Sequence, residues 1–269
     1  MKRYWLLTLI FLFFTSQPVP ADNPLVSGYL RYENSVFLNG GDYSLDRITF
    51  NLNIEHKGSN MSMLANPYIY KYGDDTIDLN LRQAYMDIYF KNFDFRIGKQ
   101  QIIWGKAEGV FITDIVTPKD LTEFILPDFE EIRVGIEALK ANYYFGNNTL
   151  ELVWVPAFTP SITPSQQSPW FKGLLLPDFI STPKHQVPEK KLGNSEGFLR
   201  FSHLGTTLDF EIIAGYFWDD YPSLSYHVET STYVFEHKRL FTAGGSLRIP
   251  IKGVVFRSET PLYSGKYFN

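Results

Sequence analysis

Along Leu81–Gly105 the chain reads LRQAYMDIYFKNFDFRIGKQQIIWG, and large apolar side chains alternate with polar ones. In Asn80–Phe90 the even positions Ala84, Met86, Ile88 and Phe90 form one face, and Gln83, Tyr85, Asp87 and Tyr89 form the other. After the turn-like Lys91-Asn92 the pattern restarts, with Phe93, Phe95 and Ile97 opposite Asp94, Arg96, Gly98 and Gln100. A period of two is the mark of a β-strand, so the segment is expected to form a hairpin with matched faces.

Similar runs recur at Val26–Leu38, Ile48–His56, Met61–Tyr72, Ile136–Phe145, Thr149–Val155, Gly197–His203, Thr207–Trp218, His227–Glu236, Leu240–Ile249 and from Gly253 onward. Together they make about 12 strands, many near the 9 to 11 residues that a tilted membrane-crossing strand requires. Gly40-Gly41, Gly58-Ser59-Asn60 and Gly146-Asn147-Asn148 supply turns between them. Two stretches break the rhythm. Residues 106–133 are expected to form a structured loop with a short helix around Lys119–Phe124. Residues 158–194 carry Pro160, Pro164, Pro169, Pro177, Pro183 and Pro188, and cannot supply a central strand.

Alternation alone fits a water-soluble β-sandwich as well as a barrel in a membrane. The polar positions separate the two. Asp87, Arg96, Arg200, Asp209, Glu211, Arg257 and Glu259 fall on the minority face, where a dry sandwich core would have to pair every charge and a wet lumen would solvate it. Tyr85, Tyr89, Phe93, Tyr143, Tyr144, Tyr216 and Trp218 crowd the strand ends, where interface girdles sit. The fold expected is therefore all-β, an antiparallel transmembrane β-barrel of about 12 strands, or part of a larger one.

The first residues agree with export. Lys2 and Arg3 precede the run Tyr4–Phe14, and Val19-Pro20-Ala21 offers the small residues that a signal peptidase cuts after, so residues 1–21 read as a signal peptide and 22–269 as the barrel domain. Its apolar run falls short of the roughly 20 residues of a spanning helix, and no run of 18 apolar residues follows, which excludes a helical membrane protein. The chain has no cysteine, so no disulfide framework holds it. Taking Lys2 and Arg3 from 25 basic and 29 acidic residues leaves a net charge of −6, and no basic stripe points to nucleic acid.

The segment RIGKQQIIWGKAEGVFITDIVTPKDLTEFILPDFEEIRVGI, Arg96–Ile136, resembles a family of Gram-negative outer-membrane proteins known as a domain of unknown function and similar in style to alginate-export and phosphate-selective porins. The features that carry it are Gly-Lys-Gln-Gln with Trp104-Gly105, Asp114, Pro118, Asp120-Leu121, Glu123-Phe124, Leu126-Pro127-Asp128-Phe129 and Arg133. LELVWVPAFTPS and the final SETPLYSGKYFN match more weakly. The resemblance implies a porin-like barrel. Members of that family are longer, and the chain stops inside what resembles an internal strand, so a truncated member is expected.

On this reading Gln83, Tyr85, Asp87, Arg96 and Gln100 line the pore. Trp104, Lys106, Asp114, Asp120, Glu123, Asp128 and Arg133 belong to a loop that would fold inward and act as a charge filter, since fixed charges select ions through their local potential. Asp128 with Arg133 offers a pin between loop and wall, and Trp104 an interface anchor or a ligand platform. Catalysis is not expected: His56, His185, His203, His227 and His237 are scattered, none is followed two residues later by Ser, and Ser225 and His227 share a face only in the reverse order. No metal motif, phosphate cradle or cofactor signal occurs. The function expected is passive passage of small solutes across the bacterial outer membrane, with outer-membrane lipid and solutes as partners and a homo-oligomer compatible. The alternatives are a non-transporting binding or scaffold component of an export or lipid-trafficking system, or a non-functional fragment of a longer porin.

Overall fold

The computed structural model describes residues 6–13, 24–38, 43–105, 111–124, 127–164, 168, 170–171 and 184–267. Within these the chain is β-sheet, antiparallel except where Lys184–Gln186 joins Val234–Glu236, with almost no helix, and it divides into two compact units, Met1–Ile88 and Tyr89–Asn269. No helix among the described residues is long and apolar enough to cross a membrane.

In the first unit the strands β1 (Leu6–Phe13), β2 (Leu25–Phe37), β3 (Tyr43–Lys57), β4 (Met61–Tyr72) and β5 (Ile77–Tyr89) pair in sequence order. Residues 6–13, part of the expected export signal, are thus placed as a strand against β2, and the expected cleavage site lies outside the described residues, as does the Gly40-Gly41 turn. Pro67 interrupts β4 where the register shifts between Asn66 and Pro67, because proline has no N–H to give the ladder.

The polarity of this sheet is inverted. Along β3, Arg47 is 4% exposed and Thr49 0%, while their neighbours Ile48 and Phe50 are 40% and 41% exposed. Along β2, Arg31 and Glu33 are buried and Leu30 and Tyr32 exposed. Every fully buried residue described in this unit is polar or charged. The register explains how the charges are borne: Glu33 lies opposite Arg47, whose guanidinium donates to Glu33 Oε2 at 2.9 Å and lies 4.5 Å from the Tyr70 ring. Arg82 covers Tyr68 at 4.7 Å, and Asn51 and Asn66 bond side chain to side chain. Buried charge is tolerable only with such pairing.

In the second unit the sheet runs β6 (Phe93–Gln100), β7 (Ile136–Phe145), β8 (Asn148–Val155), β10 (Glu196–Leu204), β11 (Asp209–Trp218), β14 (Arg239–Ile251) and β15 (Val254–Ser264). A separate three-stranded sheet holds β12 (Ser223–His227), β13 (Thr232–Glu236) and β9 (Lys184–Gln186). Here too the apolar residues Ile97, Leu139, Leu152, Trp154, Leu199, Ile212, Tyr216 and Phe241 face outward. The buried face is divided. At one end lies an apolar cluster of Ala138, Val153, Val155, Phe198, Ile213, Phe217 and Leu240, joined by Ile102, Trp104, Ile115 and Val116 from the following loop. At the other end lie Glu151, Arg200 and Glu211.

Among the described residues the strands of each unit pair as antiparallel sheet that does not close as a barrel. Two expectations are corrected. The run His227–Glu236 is the turn and second strand of a hairpin, because Ser231 at φ 50° reverses the chain after β12. Lys119–Phe124 is not helical: Lys119 bridges to Arg133 and Asp120 to Ile162, and the short helix is α1 (Phe129–Ile132), after the helix-starting Asp128 and beyond Pro127.

Close strand approach occurs at Gly245, where a Cβ would stand 2.2 Å from the Glu211 carbonyl oxygen. Gly245→Ala is expected to separate β14 from β11 and cost about 1–3 kcal/mol, read as a lower urea midpoint with unchanged m-value.

Candidate functional site

The strongest concentration of interlocked polar side chains is the segment that leaves β6 and returns at β7. Gln100 ends β6 wholly buried, its amide donating to the Ala138 carbonyl at 2.8 Å. Gln101 then donates to the carbonyls of Glu130 and Arg133, both at 2.7 Å. The adjacent glutamines therefore do different work: one ties β6 to β7 and the other ties the loop's two ends together. Thr117 and Ile102 exchange a reciprocal pair, Ile102 N–H to Thr117 Oγ1 at 2.7 Å and Thr117 Oγ1–H to Ile102 O at 2.8 Å. The backbone bonds Asp120 N–H to Ile132 O and Val134 N–H to Pro118 O complete the fold of the loop.

At its centre is Asp114, with a side chain 1% exposed. Its Oδ2 accepts from Arg133 Nε and Nη2, each at 3.0 Å, and stands 3.5 Å from Lys119 Nζ, while Oδ1 accepts from Trp104 N–H at 3.4 Å. Lys119 also donates to the carbonyls of Asp114 and Thr117. Burial pushes the Lys119 ammonium below its ordinary range, and the Asp114 carboxylate opposes that shift. Arg133 lies over the rings of Phe111 and Phe129 at 5.4 and 5.8 Å. The partner of Arg133 is thus Asp114, which reaches it with a two-point contact. Asp128 starts α1 without a side-chain cap bond.

The loop lies on the buried face of the second sheet. Trp104, 1% exposed, donates its indole N–H to Glu151. Arg200 bonds the other Glu151 oxygen at 3.0 Å, reaches Glu211 at 3.7 Å and sits 5.4 Å from the Trp104 ring. Glu211 accepts in turn from Ser202 and Ser246. Thr113 donates through its hydroxyl and its N–H to Glu259 on β15, at 2.7 and 3.3 Å. Trp104 is therefore a buried bolt between loop and sheet, and its indole is remote from the outward face where an anchor would sit.

Of the other expected residues, Asp120 forms a local turn, accepting from Thr122 N–H and Oγ1. Glu123 is half-buried in the turn that follows, and Lys106 lies outside the described residues. Gln83, Tyr85 and Asp87 belong to the first unit, where Asp87 accepts from Ser62 Oγ at 3.2 Å. Arg96 and Gln100 belong to the second, with Arg96 half-buried opposite Lys140 and Gln100 closed off by its own bond. Glu151 was missed by the sequence reading although its signal is plain: in NTLELVWV it shares the face of Thr149 and Val153, opposite Leu150, Leu152 and Trp154. Thr113, Thr117 and Ser161, whose hydroxyl accepts from the Lys119 N–H at 2.8 Å, carry no periodic signal. Among the described residues there is no cluster of three or more side chains that could hold a metal ion.

Removing the carboxylate in Asp114→Ala leaves two buried cations without their partner and is expected to cost about 3–5 kcal/mol. Asp120→Ala, which loses a local bond at the surface, should cost roughly 1 kcal/mol or less. Thermal unfolding of both variants beside the parent checks the difference.

Comparison with known proteins adds a family and no activity. None of the curated proteins or solved structures compared with the chain matches it. The family model described as "Protein of unknown function (DUF1302)" matches residues 30–172, more than half of the chain, from β2 through the loop and β8 into the proline-rich stretch. The buried Asp114–Arg133–Lys119 cluster and its docking residues Trp104 and Glu151 all lie inside that match, and the chain belongs to the DUF1302 family.

Proposed function

We propose that the protein is an outer-membrane β-barrel of porin type, exported by a cleaved signal at residues 1–21, whose apolar sheet face meets lipid and whose charged face meets water and passing solutes. The observation that carries this reading is the inverted polarity of both sheets, most complete at Arg47-Ile48-Thr49-Phe50. In water an exposed row of Leu, Ile and Phe opposite a buried row of Arg and Glu would oppose folding; with lipid outside, the apolar row meets its own solvent and the paired charges lie on the inner face.

The outward aromatics support the same placement. Phe93 stacks on Tyr143 at 4.6 Å and Tyr143 on Phe145 at 5.3 Å, continuing to Phe201 and Phe210, beside the short turns. Trp154, Tyr216 and Phe241 form a second outward row. On β11 the two rows are six residues apart, about 20 Å along the strand at about 3.3 Å per residue, and both lie on the outward face. The loop around Asp114 then serves as the constriction, with Glu151, Arg200, Glu211 and Glu259 beneath it. Passage needs no cofactor or covalent step. The substrates are small solutes, and the setting is the outer membrane, with lipid as partner and a homo-oligomer compatible.

A second reading, a non-transporting binding or scaffold component, draws on the apolar cluster that Ile102, Trp104, Ile115 and Val116 complete on the buried face. Such packing is a plug if it closes the passage and a constriction if it narrows it.

Two measurements test these readings. Ile48→Lys and Ile212→Lys place a charge on the outward face and are expected to cost about 2–4 kcal/mol each at mid-membrane depth, seen as loss of the heat-modifiable folded band. Were the sheet water-soluble, exposed changes of this kind would stay within about 0.5 kcal/mol, and the band would be unaffected. Purified folded protein in a planar bilayer should give discrete conductance steps; a folded protein that gives none supports the plugged, non-transporting reading.

A further inference from the structure

Beside the ladders of the small sheet β12-β13-β9, two histidines meet. His237, directly after β13, is buried. Its Nδ1 stands 2.6 Å from the Asp219 carbonyl oxygen, and a carbonyl only accepts, so Nδ1 carries a proton and donates it. In the neutral ring the other nitrogen, Nε2, is then an acceptor. It faces His185 Nε2 at 2.8 Å, so His185 is the donor. His185 is the middle residue of β9, a three-residue edge strand in parallel register with Val234–Glu236. The edge of Phe158, just past the end of β8, lies 4.7 Å from the His237 ring. Among the described residues, the side-chain contact that β9 makes beside its three-residue ladder is this imidazole pair.

We propose that the His185–His237 pair is an acid-sensitive latch, which docks β9 on β13 at neutral pH and releases it in acid. Two facing nitrogens at 2.8 Å hold one proton between them. With His185 donating, a proton added to His237 Nε2 puts N–H against N–H and forces the rings apart.

The charged groups around the pair do not take over its role. The Asp219 carboxylate is engaged by Lys266 at 2.7 Å and by Tyr221 N–H. Glu236 and Lys238, on either side of His237, pair with each other at 2.5 Å, and His227 on β12 stands 3.7 Å from Glu236. Asp220, next in the chain to Asp219, has its carboxyl pushed well above the usual range by burial, with Lys119 opposing. Burial first, and then the charge of His185, pushes the His237 imidazole below its ordinary value, while its bond to the Asp219 carbonyl opposes the shift. The docked state therefore binds fewer protons than the released one. Docking is at full strength above about pH 6.5 and weakens as the pH falls below it.

Hydrogen exchange of the peptide spanning Lys184–Gln186 in the folded full-length protein, corrected for intrinsic rates at about pH 7.5 and about pH 5, reads the latch. The parent should lose protection roughly tenfold or more at the acid value, because over this interval the released strand takes up protons that the docked one does not bind. His185→Gln, whose amide can offer either a donor or an acceptor, should stay docked at both values. His237→Phe should be unprotected at both. Equal protection of the parent at the two values, or an undiminished acid loss in a folded His185→Gln protein, overturns the proposal.

Discussion

Arg47 stands opposite Glu33 in the ladder between β2 and β3, and almost everything else in the first unit follows from keeping that pair buried. A guanidinium and a carboxylate removed from bulk water are costly unless each is bonded and packed, and the sheet provides both. Glu33 takes Arg31 and Arg47 together, and the rings of Tyr29, Tyr68 and Tyr70 flank the three arginines. Because side chains alternate, fixing Arg31, Glu33, Arg47 and Thr49 on one face sends Leu30, Tyr32, Ile48 and Phe50 to the other. A one-residue slip of register would exchange the two sets entirely, so the buried pair and the exposed apolar rows are a single constraint.

The second unit solves a related problem with a loop. Its buried face is charged at one end and apolar at the other, and the chain between β6 and β7 covers the junction. Trp104 is suited to that position because it offers an apolar ring to Phe198, 6.0 Å away, and an N–H to Glu151. Asp114 gives the loop its shape by gathering Arg133, Lys119 and the Trp104 N–H around one carboxylate. The charges of the sheet's buried face and the charges that hold the loop together are therefore neighbours, joined through Trp104.

Much of the strand pattern could be read directly. Lys91-Asn92 as a turn, β4, β6, β7 and β8 within a residue or so, and the polar face bearing Asp87, Arg200, Glu211 and Glu259 all follow from a period of two, because which side of a strand a residue occupies is a local property. The partner of Arg133 was not legible. Asp128 is nearer in the chain, yet Asp114 takes the contact, since the reversal at Lys119–Phe124 brings 118–120 beside 132–134. The hairpin at Ser223–Glu236 was hidden for a similar reason: a tight turn at Ser231 leaves little trace when the residues around it, Thr230, Thr232 and Tyr233, also suit a strand.

The amino-acid order by itself determined the fold class, the polarity of each strand and the place of the two long interruptions, because these depend on alternation, proline and glycine acting over a few residues. Only the tertiary structure decided which carboxylate meets which cation, that Trp104 is sealed inside, and that His185 and His237, 52 residues apart, face each other at 2.8 Å. Those contacts join segments whose separation along the chain carries no information about their distance in space, and they form only once the strands between them have fixed the path.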